Sequence, residues 1–331
     1  MRTRRVRVSP EIELDVTEAG TPGRPVVVLL HGFPESAHSW RHQLRPLADA
    51  GYHVLAPDQR GYARSSAPDR IDAYAGDQLS ADVTALLDDV GARDAVIVGH
   101  DWGALLAWHF GLVHPDRTRA LIAASVPYTN WPAPPVEVFR ALHGDRFFYI
   151  LYFQEPGVAE AEFDADPEGF LRGIIWLAAG ESAGRTLSSD LPLAGTSMHQ
   201  SMVAALGGIP EGLPPWLSRA DFDVYVDQFR TSGFFGPVSW YRNFDTNYEA
   251  TRDIGPAGYA AGPGGRSLPT FFIAGALDPV IAGRPGLVDS MDAVLPDHRG
   301  SVLIPDVGHW VQQEAPDRFN RALLDALDSL G

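Results

Sequence analysis

Two glycines flank an aspartate, each two residues away, in Gly99-His100-Asp101-Trp102-Gly103. The apolar run Val96-Ile97-Val98 precedes them, and Ala104-Leu105-Leu106-Ala107-Trp108 follows. This order reads as a short buried strand, a sharp turn and an apolar helix. It is the nucleophile-elbow pattern, in which small residues let strand and helix approach and expose the central side chain at a strained bend. A carboxylate at that position attacks saturated carbon and leaves an alkyl ester on the protein. The stretch therefore points away from serine-type ester hydrolysis and towards epoxide or carbon–halogen hydrolysis. Taken by itself, it fits a capping Asp at a strand–turn–helix equally well.

An alkyl ester on Asp101 is useless unless water cleaves it, and that needs a general base oriented by a carboxylate. Among 11 histidines, His309 has the best context, in Asp306-Val307-Gly308-His309-Trp310 between the last strand and the last helix. Loops at the carboxyl ends of parallel strands are where open α/β sheets build their sites. The orienting acid is Asp278, in Gly275-Ala276-Leu277-Asp278-Pro279 after a strand over 270–275. A turn Asp before Pro is the plainer reading of that residue. The rival position after a strand over 120–125 reads Val126-Pro127-Tyr128-Thr129-Asn130, with no carboxylate. Backbone N–H groups of Trp102 and of Phe33, in His31-Gly32-Phe33-Pro34, are expected to hold the oxyanion. Glu35, beside that turn, is expected to help position water.

The elements that must carry these residues alternate along the chain. Strands are expected on both sides of Ser9-Pro10 and over 25–30, 53–57, 96–98, 120–125, 268–275 and 301–305. Helices are expected over 39–49, 79–90, 103–113, 284–294 and 313–330. Strand and helix in short alternation argue a mostly parallel sheet covered on both faces. The alternation stops near Pro127. Residues 128–255 are helical, rich in proline and in clustered aromatics, and read as an inserted helical cap. The core is then 1–127 and 256–331.

Composition bounds the chemistry. The chain has 331 residues, 45% of them hydrophobic, enough for a sizeable core. Acidic residues outnumber basic ones 42 to 26, a net charge of −16 that disfavours nucleic acid and anionic membrane surfaces as partners. With no cysteine, disulfides, thiolate catalysis and Cys-ligated zinc are out. Every basic residue is Arg, so Schiff-base and pyridoxal chemistry, which need Lys, are out as well. Met1 to Val6 is basic without an apolar h-region, and no apolar run is long enough to span a bilayer. The expectation is a cytoplasmic protein, monomer or homodimer, needing no cofactor and no metal.

With these residues in view, the chain resembles the soluble-type epoxide hydrolases of the α/β-hydrolase superfamily. The resemblance runs from His31-Gly32-Phe33-Pro34 through Gly99-His100-Asp101-Trp102-Gly103 to Gly308-His309-Trp310. It implies an α/β-hydrolase fold with an inserted α-helical cap. Tyr149-Ile150-Leu151-Tyr152-Phe153-Gln154-Glu155-Pro156-Gly157 is similar to the family segment bearing the first epoxide-activating tyrosine, which falls on Tyr149. Gly236-Pro237-Val238-Ser239-Trp240-Tyr241-Arg242-Asn243 is similar to the segment bearing the second, which falls on Tyr241. Two phenols suit the chemistry, because epoxide opening creates an alkoxide that must be hydrogen-bonded and protonated. Composition and spacing do not separate Tyr149 from Tyr152; the resemblance does, and Tyr152 is expected to be packing. His31, Pro34, Trp102, Phe153 and Trp240 are expected to line the pocket of a small apolar or aromatic epoxide.

Two other enzymatic readings and one non-enzymatic reading compete. Gly180-Glu181-Ser182-Ala183-Gly184 is a serine elbow on paper, but the following stretch is polar and broken by Pro192 and Gly195, so Ser182 is expected in a loop. A haloalkane dehalogenase shares the Asp nucleophile and could bind halide through the Trp102 indole, yet it has no use for paired proton-donating tyrosines. A ligand-binding relative that kept the fold and lost the reaction is the third, since fold does not fix function. The joint presence of Asp101, His309, Asp278, Tyr149 and Tyr241 argues against it.

Overall fold

The computed structural model describes residues 1–185, 188–284 and 286–330. In chain order the strands are β1 (Arg2–Arg7), β2 (Glu13–Ala19), β3 (Val26–Leu30), β4 (His53–Pro57), β5 (Ala95–His100), β6 (Thr118–Ala124), β7 (Arg146–Phe148), β8 (Ser188–Pro192), β9 (Thr270–Gly275) and β10 (His298–Ile304). Eight of them form one sheet in the order β1-β2-β4-β3-β5-β6-β9-β10. The pairs β1·β2 and β2·β4 are antiparallel, and every pair from β4 onward is parallel.

β3, β4, β5 and β9 are buried at every position, which demands cover on both faces. The alternation of side chains shows how that cover divides. Val26, Val28 and Leu30 join the core cluster that includes the helices Gly76–Asp89 and Trp102–Val113. Val27 and Leu29 join the opposite cluster, where Phe319, Leu323 and Leu327 of the helix Pro316–Asp328 pack at i, i+4 and i+8. Between β6 and β9 the chain adds a run of helices, from Pro135–His143 to Phe244–Thr251, and the two-stranded ribbon β7·β8.

Two helices expected as continuous are broken. The one over 39–49 is a 3₁₀ turn, Ala37–Trp40, followed by a short helix, Leu44–Asp49. Pro46 has no N–H to offer His42, and its ring would meet the preceding turn, so one helix cannot run through it. The C-terminal helix is split into Val311–Glu314 and Pro316–Asp328 at Ala315, whose φ of −137° and ψ of 59° are non-helical, as the residue before a proline prefers. In the stretch 284–294 the helix is Ser290–Val294, and position 285 lies outside the described residues.

Candidate active site

The bend at Asp101 is built by backbone contact. Asp101 has φ 52° and ψ −115°, a left-handed φ that a non-glycine residue occupies only when its surroundings enforce it. A Cβ on Gly99 would overlap the Gly103 carbonyl, and one on Gly103 would overlap the Leu30 carbonyl. β3, β5 and the helix Trp102–Val113 therefore meet main chain to main chain, with no room for side chains. Gly32 completes the crevice, since a Cβ there would fall on the Asp101 side chain.

The carboxylate that emerges is held from two sides. Phe33 N–H donates to Asp101 Oδ1 at 2.8 Å. Asp101 Oδ2 faces His309 Nε2 at 3.5 Å. Behind the ring, His309 Nδ1 lies 2.9 Å from Asp278 Oδ2. Asp278 is fully buried, and its Oδ1 accepts from Val280 N–H at 2.8 Å. The backbone of His309 is pinned as firmly as its ring. Its N–H donates to Ala178 O at 2.8 Å, and its carbonyl accepts from Ser125 Oγ at 2.7 Å and faces His100 Nε2 at 2.8 Å. The Trp102 N–H opens the following helix, and no bond from it to the carboxylate is formed among the described residues.

Burial opposes charge on both partners, and the pairing overrides it. Desolvation alone would lift the Asp101 carboxyl, but the hydrogen bond and charge of His309 carry it below its ordinary value. Desolvation alone would lower His309, yet the Asp278 charge, with the Asp101 hydrogen bond, carries the imidazole well above its ordinary value. Both shifts favour an imidazolium facing a carboxylate.

Tyr149 opens the helix Tyr149–Tyr152, and Tyr241 sits near the end of Phe235–Arg242. Their rings meet edge-on with centroids 5.9 Å apart. Tyr241 is further wedged edge-on against Trp102, Phe33 and Phe153, at 4.8, 5.4 and 4.9 Å. Burial first, and the neighbouring Asp101 charge second, push both phenols above their ordinary range. Both hydroxyls stay protonated, as donors must. Tyr152 differs: its hydroxyl donates to the Glu162 carboxylate, a packing role.

Asp101, Tyr149 and Tyr241 share one cavity of about 530 Å³. That volume suits a small organic molecule. Trp102 and Trp240 line it, with Leu105, Phe139 and Phe244, which the sequence did not single out. Three residues expected in the lining stand behind it. His31 is fully buried and accepts Gln59 N–H on Nε2 at 3.0 Å, so it braces the turn rather than the ligand. Pro34 is buried in that same turn. Phe153 is fully buried behind the rings of Tyr149 and Tyr241.

Glu35 also differs from expectation. Its carboxylate meets His100 Nδ1 at 2.7 Å and accepts from Gly32 N–H at 3.2 Å, Gln312 Nε2 at 3.0 Å and Gln313 Nε2 at 2.8 Å. It is spent on fixing the floor of the site and does not line the cavity. His100 and Ser125, which hold the His309 carbonyl, carry no sequence signal beyond adjacency to Asp101 and to the end of β6. Ser182 lies in a 3₁₀ turn, Gly180–Ser182, with no strand–helix elbow around it.

Comparison with known proteins agrees with this geometry. Residues 25–316 match the family model described as the alpha/beta hydrolase fold. Epoxide hydrolase A of Mycobacterium tuberculosis is 47% identical over 322 residues, covering 96% of this chain and 95% of that protein. The crystal structure of epoxide hydrolase A from Mycobacterium thermoresistibile superposes with a TM-score of 0.88 at 44% identity, covering 99% of this chain and 98% of that one. An epoxide hydrolase from an endophytic Streptomyces gives 0.86 at 39%, covering 99% and 96%. Elbow, sheet order and relatives converge: the chain belongs to the epoxide hydrolase family of the α/β-hydrolases.

Proposed function

We propose that this protein hydrolyses an apolar or aromatic epoxide to a vicinal diol in two steps, with Asp101 as nucleophile. In the first step Asp101 Oδ2 attacks one ring carbon while the hydroxyls of Tyr149 and Tyr241 hold the ring oxygen, and one of them donates its proton as the C–O bond breaks. Phe33 N–H, already on Oδ1, stays with the oxygen that becomes the ester carbonyl. In the second step His309 takes a proton from water, which adds to the ester carbon, and the oxyanion forms against Phe33 N–H. Asp278 steadies the imidazolium that results. Collapse of the tetrahedral intermediate frees the diol and restores the carboxylate.

The step order follows from charge. In the resting protein, Asp101 and Asp278 both hold a proton on His309. Esterification removes the Asp101 charge, so one of the two anions is gone; the imidazolium gives up its proton, which restores the tyrosinate left by ring opening, and the neutral imidazole acts as base. The helical segment 128–255 acts as a cap, since it supplies both phenols and the aromatic wall.

One observation carries the reading: two phenols kept protonated by desolvation, Tyr241 buried and Tyr149 half-buried, share a cavity with a carboxylate backed by a His–Asp pair. A halide needs donors too, but it needs no proton. The test is product analysis of purified protein given an aryl epoxide in one reaction and a haloalkane in another. Diol without halide is expected. Halide without diol moves the reaction to dehalogenation and leaves the two tyrosines as packing.

A further inference from the structure

One half-buried carboxylate outside the reaction is spent in an unusual way. Glu314, in the short helix Val311–Glu314, accepts three backbone N–H groups. Two flank the base: Gly308 N–H at 2.8 Å and Trp310 N–H at 3.0 Å. The third, Gly180 N–H at 3.1 Å, belongs to the segment just past the helix Pro167–Ala178. Two further bonds tie the same two segments together. His309 N–H donates to Ala178 O at 2.8 Å, and the Trp310 indole donates to Ile175 O at 2.9 Å. The seam is so close that a Cβ on Gly308 would overlap Gly180, and one on Gly180 would stand 2.9 Å from Gly308 N.

We propose that Glu314 is a positioning residue for the base: it clamps the His309 loop to the end of the helix Pro167–Ala178, so that the imidazole is placed only while that helix is docked. This rests on the two-step reading above. The geometry is specific to the second step. Asp101 and the two tyrosines sit on other elements and make none of these bonds, so the clamp bears on ester formation only through the charge that His309 sets beside Asp101. Ester hydrolysis depends on it directly, because water must be deprotonated by a ring held within a few tenths of an ångström. The segment holding Gly180 also cannot swing away as a lid at this point without dragging the base along.

Burial pushes the Glu314 carboxyl up to about 7 despite its three amide donors.

The test separates the two steps in the full chain. E314Q keeps one acceptor oxygen but turns an NH₂ group towards amide donors. Rapid-quench single turnovers with styrene oxide, read as protein mass, give ester formation and ester loss separately. The expected result is ester hydrolysis slowed at least tenfold with ester formation changed less than threefold, so that covalent enzyme accumulates and kcat and KM fall together. E314D, which keeps the carboxylate on a shorter arm, should recover part of the loss. If E314Q does not fold, G180A carries the test, since its methyl, 2.9 Å from Gly308 N and 3.1 Å from Glu314 Oε2, pries the same seam apart while the Glu314 carboxylate itself is kept. Equal loss in both steps, or no loss in either, overturns the proposal. Absence of diol from the unaltered protein would instead sink the epoxide reading itself, before any variant is compared.

Discussion

Asp58 offers a prediction whose size follows directly from its surroundings. It stands just after β4, buried, and its Oδ1 accepts Ala37 N–H at 2.8 Å at the start of the 3₁₀ turn beside the Phe33 loop. Burial raises its carboxyl from 3.8 to about 7, with the Ala37 amide pulling the other way. Because the folded value lies above the unfolded one, the fold holds an extra proton between them. Stability is therefore greatest below pH 3.8 as far as this group is concerned, and is lost as pH rises towards about 7. Working the linkage through, ionisation costs the fold ~1.7 kcal/mol at pH 5 and ~4.3 kcal/mol at pH 8. D58N has no proton to lose. Whatever its fixed cost, the stability of D58N relative to wild type should improve by ~2–3 kcal/mol between those two pH values. Urea unfolding of both proteins at pH 5 and pH 8 measures this difference, and every other titrating group cancels. A gap that moves by less than ~0.5 kcal/mol refutes the claim that this carboxyl is desolvated in the fold.

Three further outcomes bear on the chemistry. H309Q should trap the alkyl ester, seen as a mass gain of one substrate on the protein; full diol turnover in that variant would end the two-step scheme. Replacing both phenols, in Y149F/Y241F, should lower kcat/KM for an epoxide by ~10²–10⁴ while leaving the fold intact, because only two cavity-facing oxygens are removed; an unchanged rate would show them to be packing. G103A drives a methyl into the Leu30 carbonyl, so the helix Trp102–Val113 must leave the sheet, and a loss of ~1–3 kcal/mol or more on urea unfolding is expected, with activity lost alongside. Wild-type stability in that variant would mean that the elbow is looser than its backbone contacts imply.

Much of this protein could be read from local pattern, and the exceptions share a cause. Val26–Leu30 and Ala95–His100 announce themselves because a strand buried on both faces has no polar position to dilute its apolar run. Asp101 is legible because backbone contact at the elbow demands glycine at two fixed positions. His309 and Asp278 are legible because strand ends recur in order. Tyr149 and Tyr241 were reached through family likeness, since the difference between Tyr149 and Tyr152 lies in Glu162, ten residues on, which satisfies one hydroxyl and leaves the other for the cavity. The pocket lining was read least well. Phe153 and Phe244 look alike in sequence, and only the crossing of helices decides which ring faces the cavity and which backs it. Glu314 left no trace at all, because its partners are main-chain amides, which every residue has.

The way Asp101 is held has a consequence for where atoms go. In the two-step reaction proposed above, Oδ1 stays on Phe33 N–H and Oδ2 is the oxygen that bonds the substrate. Water then adds to the carboxyl carbon, and the bond that breaks is the one between that carbon and Oδ2. The oxygen delivered to the diol in a first turnover is therefore the protein's own, and the oxygen of water is left behind in the Asp101 side chain. In isotopically heavy water the first product leaves light and the enzyme grows heavier. The side chain is a stock of oxygen that every cycle spends and refills.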